Sequence, residues 1–236
     1  MKNSTNKFST LFKTLVAGVV LASTIAACSD KDDTPILPRS ALSVTQASYD
    51  AENLDLFINT EKVNKAGTFK FKNTTGYLNV LSGKINLTVK NAAGDKDTVK
   101  TAELDLKDGV FYSVFVANKV EDIEYVVIED SLTTPAEGKA QIRFVHLSPE
   151  VDALNISVKD AETDLFEGLE FKKASKFKQI DANTYAFDIK GSDSDEVLFS
   201  LENVKIEKGK IYTIWTKGTV GGVEAAQFGA EVITFN

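Results

Sequence analysis

The chain repeats itself at an offset of 100 residues, and this repeat limits its possible folds more than any other feature. The apolar phase holds without a gap from residue 42 to residue 116, although identity is low. Unrelated segments would drift out of phase, so we predict two tandem domains, 40–132 and 139–236, joined by a linker at 133–138. Each has about 95 residues, enough for one small core. Matching positions include Leu54/Leu154, Leu56/Ile156, Ile58/Val158, Phe71/Phe171, Lys72/Lys172 and Tyr112/Tyr212.

Each repeat has the pattern of β-strands. Apolar side chains alternate with polar ones, as at Ile85, Leu87 and Val89, and turn residues separate the runs. Such alternation predicts one strand face in a core and the other in solvent. With seven or so short strands per repeat, we predict an all-β chain of two tandem immunoglobulin-like antiparallel β-sandwich domains, with a small barrel as the alternative. The Cys pair and core Trp of antibody domains are absent, so only the architecture is implied.

Residues 1–27 have the pattern of an export signal. Lys2, Lys7 and Lys13 give a basic start without acids, and residues 15–27 form an uncharged, largely apolar run of 13 residues. A transmembrane helix needs about 20 such residues, so a membrane-spanning anchor is excluded on length. We expect the segment to be removed from the mature protein.

The signal ends in Ile25, Ala26, Ala27 and Cys28, which resembles the lipobox of bacterial lipoproteins. The resemblance implies cleavage between Ala27 and Cys28, a diacylglyceryl group on the sulfur, and a fatty acyl chain such as palmitate on the new amine. The alternative is a chance Cys at the end of a signal. More than one acyl chain makes membrane anchoring stable, so the predicted partner of this end is a membrane.

A short tether follows the predicted acylated residue. Residues 28–39 contain two prolines and no apolar periodicity, which favours an extended spacer. Lys31, Asp32 and Asp33 resemble the surface-export signal of Bacteroidota lipoproteins, and the alternative is a solvated acidic tether. We therefore expect a protein of the outer membrane that faces the cell exterior.

The second repeat opens with a recognisable motif. Arg143, His146, Ser148 and Pro149 are followed by an acid, and a Gly-Lys-Ile-Tyr-Thr segment begins at Gly209. The motif is similar to the start of domain of unknown function 4397, whose members are common in secreted and surface proteins, often as tandem copies. The first repeat keeps the skeleton but has Gln46 and Tyr49 in place of His146 and Pro149. The resemblance implies a fold and a location and supplies no activity.

Composition excludes several classes of function. The chain has one Cys, one His and a net charge of −7. These counts argue against a disulfide framework, a zinc or iron–sulfur site and a nucleic-acid partner, and we expect no metal or other cofactor. His146 lies in an alternating strand with no assembled catalytic partners, so we favour a structural role, and Gln46 in the other repeat suits a hydrogen bond to a turn.

Three further sets of residues offer candidate sites. Acidic hairpin tips could supply oxygens to Ca²⁺, although a solvated turn is favoured; they contain Asp95, Lys96 and Asp97, and Asp193, Ser194, Asp195 and Glu196. Trp215 and Phe115 could stack on sugars, although core packing is favoured, and Tyr49, Tyr77, Tyr125 and Phe177 are left open. Thr98 and Ser131 each follow Asp and precede an apolar residue, a short pattern that Bacteroidota use for O-glycosylation.

The hypothesis that follows is a non-enzymatic, lipid-anchored binding or scaffold module with an unidentified protein or glycan ligand. A glycan-binding accessory of a polysaccharide-uptake system is the first alternative, and it needs an exposed row of aromatic side chains. A hydrolase is the second, and it needs a pocket that joins His146 to acids and a nucleophile.

Overall fold

The computed structural model describes residues 37–94, 97–194 and 196–235, and these residues form sixteen strands. The first repeat contains β1 (Arg39–Gln46), β2 (Leu54–Ile58), β3 (Glu61–Lys62), β4 (Thr74–Leu81), β5 (Gly83–Asn91), β6 (Thr98–Leu106), β7 (Phe111–Ala117) and β8 (Glu124–Asp130). The second contains β9 (Lys139–Val145), β10 (Leu154–Val158), β11 (Asp164–Leu169), β12 (Lys178–Asp181), β13 (Asn183–Gly191), β14 (Val197–Ile206), β15 (Ile211–Lys217) and β16 (Gly229–Phe235). In this described part, no helix is long and apolar enough to cross a membrane.

Each repeat is a sandwich of two four-stranded sheets, which confirms the all-β fold class. The first repeat has the orders β4-β1-β7-β8 and β3-β2-β5-β6, and the second has the same orders in β12-β9-β15-β16 and β11-β10-β13-β14. Neighbouring strands run antiparallel, except that β1 lies parallel to β7 and β9 lies parallel to β15. Each repeat thus has eight strands in its described residues, one more than the seven or so that the turn spacing indicated.

Each sandwich has its own core, and the two cores use equivalent positions. Side chains that are fully or almost fully buried fill the space between the paired sheets, as alternation predicts. Most of these side chains lie on strands whose apolar residues recur at every second position. In the first repeat they include Leu42, Leu56, Leu87 and Val114, and in the second Ile142, Ile156, Phe187 and Ile214.

The expectation that the second face of each strand lies in solvent is wrong for the central strands. In β7, six of seven residues are buried, with Val114 in the sandwich core and Phe115 on the opposite face. The reason is a third apolar cluster, to which both repeats contribute, including Phe115 and Val126 from the first and Trp215 and Ile233 from the second. The sheets that contain β7 and β15 therefore pack against each other through their outer faces.

One pair of equivalent aromatic residues meets across this interface, as residues do around a twofold axis. Phe115 contacts Trp215, its own counterpart, with 6.2 Å between ring centroids. Lys72 pairs with Glu231 on the last strand of the second repeat, and Lys172 pairs with Glu124 on the last strand of the first, with an N–O distance of 2.6 Å in the latter. The interface is thus pseudo-symmetric, formed by the same face of each repeat.

Candidate functional site at the junction of the two repeats

A buried ion pair joins the repeats across their interface. Arg143 on β9 is 2% exposed, and its Nη1 donates to Oδ1 of Asp130 at the end of β8 over 2.5 Å. Its Nη2 donates to Ser113 Oγ over 2.8 Å, and its Nε donates to Thr213 Oγ1 over 2.9 Å. Ser113 and Thr213 are equivalent positions of the two repeats, so the guanidinium group lies close to the pseudo-twofold axis.

The carboxylate of Asp130 is satisfied from the first repeat. Its Oδ2 accepts hydrogen bonds from Ser113 Oγ over 2.7 Å and from the hydroxyl of Tyr77 over 2.6 Å. Burial, followed by the nearby Asp130 charge, raises the pKa of the Tyr77 hydroxyl, which keeps it protonated as a donor. A buried ion pair with its hydrogen bonds completed fixes a single geometry, whereas a half-satisfied one would destabilise the fold.

The two sides of the pseudo-twofold axis are filled differently. The counterparts of Gln141 and Arg143 are the small residues Ala41 and Ser43. The counterpart of Asp130, by strand register against Phe111 and Ile211, is Phe235. Aromatic rings therefore occupy the side that corresponds to the ion pair; Tyr77 lies 5.2 Å from Phe111 and 4.7 Å from Phe235, centroid to centroid.

On the side of Arg143 the interface opens into a cleft of about 540 Å³. It lies between the end of β8 with the following segment and the segment that leads into β12. We call it the junction cleft. Its lining includes Ile128, Ser131, Thr133, Gln141, Ser175 and Phe177. The Phe177 ring stacks on the guanidinium of Arg143, with 4.7 Å between the guanidinium carbon and the ring centroid.

Gln141 is a cleft-lining residue with a buried side-chain atom that lacks a hydrogen-bond partner among the described residues. Its side chain is 5% exposed, and Nε2 donates to Thr133 Oγ1 over 2.6 Å, while Oε1 has no partner among the described residues. If the amide were rotated by half a turn, Oε1 would accept from Thr133 and Nε2 would be unpaired instead. One amide atom therefore lacks a partner among the described residues in either orientation, and the residue that carries it lines the cleft.

His146 holds a loop and does not form a catalytic centre with Ser148. Its Nε2 donates to the carbonyls of Val151 and Asp152 over 3.2 and 3.1 Å, and its Nδ1 accepts from the Ser148 amide over 3.3 Å. Both His146 and Ser148 are 0% exposed, so no substrate reaches them. Burial lowers the pKa of the imidazole, although the backbone hydrogen bonds oppose this shift, so the neutral form is favoured.

Gln46 performs the same task in the first repeat. Its Oε1 accepts the amide proton of Ser48 over 2.7 Å, as His146 Nδ1 accepts that of Ser148. The structural hydrogen bond to a turn that the sequence suggested for Gln46 is therefore present. The second repeat extends the arrangement, because the imidazole also reaches two carbonyls five and six residues further on.

The model of a family named domain of unknown function, DUF4397, matches residues 40–157, half of the chain. The chain belongs to the DUF4397 family. The match covers the first repeat and continues through β9 into β10, so it includes Arg143 and His146. The motif that begins at Arg143 thus has two structural tasks in this DUF4397 protein: Arg143 closes the interface, and His146 ties the loop after β9.

Solved structures resemble this DUF4397 chain only distantly. The C-terminal domain of AlgF from P. aeruginosa has 14% identity and a TM-score of 0.33, with 42% of this chain and 99% of that one covered. A family CBM26 module of Eubacterium rectale Amy13K, solved with maltoheptaose, has 14% identity and a TM-score of 0.27, with coverages of 83% and 97%. An alpha-glucan-binding streptococcal virulence factor has 13% identity and a TM-score of 0.24, with coverages of 80% and 95%. No curated protein matches the chain.

The predicted modification sites fall in two groups. Thr98 at the start of β6 and Ser131 just after β8 are both exposed, and Ser131 lies on the rim of the junction cleft. The lipobox residues Ala27 and Cys28 and the tether residues Lys31, Asp32 and Asp33 lie outside the described residues. Their predicted roles stay predictions.

The acidic hairpin tips are described only in part. Asp95, Lys96 and Asp195 lie outside the described residues, and Ser194 Oγ accepts the amide proton of Glu196 over 3.3 Å in an ordinary turn bond. Within the described ranges, no group of three His, Cys, Asp or Glu side chains is arranged to hold a metal ion.

The aromatic side chains are largely withdrawn from solvent. Trp215 and Phe115 are each 1% exposed, which confirms packing over sugar stacking, although they pack between the sandwiches and not inside one. Among the aromatic residues of the described ranges, only Phe111 is exposed, at 41%. The row of exposed rings that a flat glycan platform requires is therefore not found there. The undecided residues Tyr49, Tyr77, Tyr125 and Phe177 are all partly buried.

The sequence prediction missed Asp130 and Gln141. One available signal was a charged and an amide side chain, Arg143 and Gln141, at alternate positions of an otherwise apolar strand. A charge is almost never fully buried unless it is paired, so Arg143 indicates a partner on another strand. Which acid provides the partner depends on how the sandwiches pack, and strand patterns carry no information on that packing.

Proposed function

We propose that this protein is a lipid-anchored cell-surface binding module without catalytic activity, whose two sandwiches form one rigid body and whose junction cleft receives the ligand. The observation that carries the proposal is the cleft itself, where a nine-tenths buried Gln141 keeps an unpaired amide atom beside a completed Arg143–Asp130 pair. Ligand sites commonly occur at domain interfaces and have a few convergent polar groups.

The contacts between the two sandwiches support a binding role, because they hold the repeats together more firmly than a flexible linker would. Apolar packing of Phe115 on Trp215 and the buried pair of Arg143 and Asp130 both cross from one repeat to the other. Because the cleft walls come from both repeats, a fixed interface keeps them at a fixed separation. A preformed site loses less conformational entropy when a ligand binds.

The bonding of His146 supports a non-catalytic role. A general base must reach a proton of a bound substrate directly or through one water. Here both ring nitrogens bind groups of the chain itself, and the side chain is fully buried away from the cleft lining. The hydrolase hypothesis therefore loses the pocket that it needs at this residue.

The anchor is tested by metabolic labelling with an alkyne analogue of palmitate. We expect label on the wild-type protein and none on Cys28→Ala, while the neighbouring variant Ser29→Ala keeps it. Protease treatment of intact cells then tests orientation: outward display predicts digestion of the wild type, and Asp32→Ala/Asp33→Ala should be protected. Undiminished label on Cys28→Ala would contradict the anchor.

Binding through the cleft is tested by thermal shift of the full chain, purified from its host cells in detergent, against a mixed library of peptides, polar metabolites and oligosaccharides. We expect at least one class to raise the melting temperature of the wild type and to have no effect on Ser131→Trp. Ser131 is exposed on the rim, so an indole there fills the entrance and leaves the core unchanged. A library without any stabilising member, or equal shifts in both proteins, would refute the binding role.

A further inference from the structure

We infer that the junction cleft binds a neutral saccharide, in the form of a short oligosaccharide or one end of a longer glycan. This inference rests on the proposed binding function and adds the chemical class of the ligand. It follows from three properties of the cleft: an unmet hydrogen bond, an absence of net charge on its rim, and one immobilised aromatic ring.

The unmet hydrogen bond belongs to Gln141. Thr133 satisfies one end of the amide, and the other end is buried without a partner among the described residues. Buried polar groups in native proteins are nearly always paired, so an unpaired amide facing a cleft indicates a ligand that completes it. A hydroxyl group fits either orientation of the amide, because it can donate to Oε1 or accept from Nε2.

The charges around the cleft disfavour an ionic ligand. Arg143 uses Nε, Nη1 and Nη2 on Thr213, Asp130 and Ser113, and its charge is opposed by the Asp130 carboxylate. The rim carries one charge of each sign, Glu129 and Lys176, and Glu129 accepts from Lys107 over 2.5 Å. Phosphate or carboxylate recognition relies on free Arg or Lys donors. Three of the five guanidinium N–H groups of Arg143 already bind groups of the chain and its charge is paired with Asp130, so Lys176 is the other cation that the lining offers.

The walls combine hydroxyl groups with one apolar surface. Ser131 and Thr133 belong to the segment after β8 and Ser175 to the segment before β12, and half-buried Phe177 is part of the same lining. The ring is held by its stacking on Arg143, so little entropy is lost when it meets a ligand. A pyranose has hydroxyl groups around its edge and an apolar C–H face, which matches this mixture better than a peptide, whose anchoring side chains need apolar pockets.

The size and number of sites follow from the same geometry. A volume of about 540 Å³ is within the range of roughly 300–1,000 Å³ that small-molecule sites occupy. The pseudo-symmetric position on the other side of the axis has Ala41 in place of Gln141 and is filled by the rings of Tyr77 and Phe235. We therefore expect one saccharide site per chain.

The test is isothermal titration of the full chain, purified in detergent, with neutral linear oligosaccharides of about three to six rings, preceded by an array that selects the best linkage. We expect Gln141→Leu to weaken binding by at least about tenfold, since it removes the amide and keeps the bulk. Asn79→Leu is the control: Asn79 is exposed on β4 opposite Ala41, so a change from an amide to Leu there falls on the other side of the axis and should leave affinity unchanged.

Two further variants separate the ligand classes and guard against misfolding. Lys176→Gln should change affinity for the neutral oligosaccharide by less than about threefold, whereas an acidic ligand would lose about tenfold or more. Ser131→Trp should abolish binding without altering the circular dichroism spectrum, even if Gln141→Leu folds poorly. Silence of every neutral oligosaccharide, or binding that Ser131→Trp leaves intact, overturns the inference. If peptides or acidic ligands stabilise the wild type instead, the binding role stands and the saccharide assignment is wrong.

Discussion

The two repeats present the same sheet face to each other, yet they fill the two sides of the shared interface in different ways. On one side Tyr77, Phe111 and Phe235 pack as aromatic rings. On the other side Arg143 and Asp130 form a buried pair beside an open cleft. A duplicated surface can thus form an aromatic contact on one side and an open cleft on the other, through substitutions at a few equivalent positions.

The difference has an energetic consequence. Aromatic packing stabilises by burial of apolar area and tolerates small changes of shape. A buried ion pair contributes little net stability when complete, but leaves an uncompensated charge when one partner is removed. The polar side of the interface should therefore be the more fragile one, although it is also the side that defines the cleft.

Removal of the Arg143 guanidinium should have the largest effect. Arg143→Met leaves the Asp130 carboxylate buried without its cation, and we expect the free energy of unfolding to fall by about 3–5 kcal/mol in urea titrations. The double variant Arg143→Met/Asp130→Leu removes both charges, so it should recover most of the loss. Lys84→Met, which breaks an exposed pair with Glu103, is the control and should be close to wild type.

An unchanged stability of Arg143→Met would show that the aromatic side alone holds the repeats together. A double variant as unstable as the single one would show that shape, and not charge, is what Arg143 supplies to the interface.

Substitution of His146 in the loop after β9 should have the next largest effect. It also compares the two residues, His146 and Gln46, that hold the equivalent turns of the two repeats. His146→Ala removes hydrogen bonds to Val151, Asp152, Ser148 and Thr216 and should destabilise the protein by about 2–3 kcal/mol. His146→Gln copies the first repeat, where Gln46 binds Ser48, and should cost about 1 kcal/mol because only the two carbonyl contacts are lost. Equal losses in thermal or urea unfolding would mean that the amide cannot replace the imidazole in this loop.

Much of the fold was predictable because the apolar phase of each strand is local information. Leu56 and Ile156, and Val114 and Ile214, occupy the cores that their alternation indicates. Packing between the repeats was not predictable in the same way. Phe115 follows Val114 in the sequence and faces the other repeat. Alternation predicts that such a residue faces solvent, and its apolar character indicates burial without showing which core it belongs to.

The candidate site was less predictable than the fold because its residues come from both repeats. Gln141 and Arg143 are adjacent on one strand face, but Asp130 belongs to the other sandwich and Phe177 to the segment before β12. Their proximity depends on a packing angle that no sequence spacing encodes. The structural role of His146 was predictable because the repeat places Gln46 at the equivalent position, where an imidazole is replaced by an amide that can only hydrogen-bond.

Acid should weaken the fold through His146, and this effect should distinguish the two repeats. The lowered pKa of the buried imidazole means that the unfolded chain, with a value near 6.5, binds a proton more readily than the folded one. Stability from this group is therefore fully present above pH 6.5, begins to fall below it, and is lost once the pH passes below the folded-state pKa.

His146→Gln isolates that effect, because it keeps every carboxylate of the wild type. The difference in unfolding free energy between the two proteins should be constant above pH 7 and shrink between pH 6.5 and pH 5. A difference that stays constant down to pH 5 would mean that the folded and unfolded chains protonate His146 equally, and that the imidazole is not held neutral by its loop.

The reciprocal surface pairs should have the smallest effect and test the symmetry itself. Lys72→Met and Lys172→Met each break one pair across the interface, with Glu231 and with Glu124, and both lysines have the left-handed backbone conformation, at φ of 69° and 65°. Each variant loses the ion pair and the contact of the ammonium with a neighbouring ring, Phe71 or Phe171, and we expect about 0.2–1 kcal/mol each, with a loss that shrinks in 0.5 M salt. Similar losses, additive in the double variant, are expected because two equivalent lysines each pair with one acid on the last strand of the other repeat. A loss confined to Lys172→Met would indicate that surface charges stabilise only the cleft side of the interface. The two repeats would then be related in geometry, but the two ion pairs would differ in their contribution to stability.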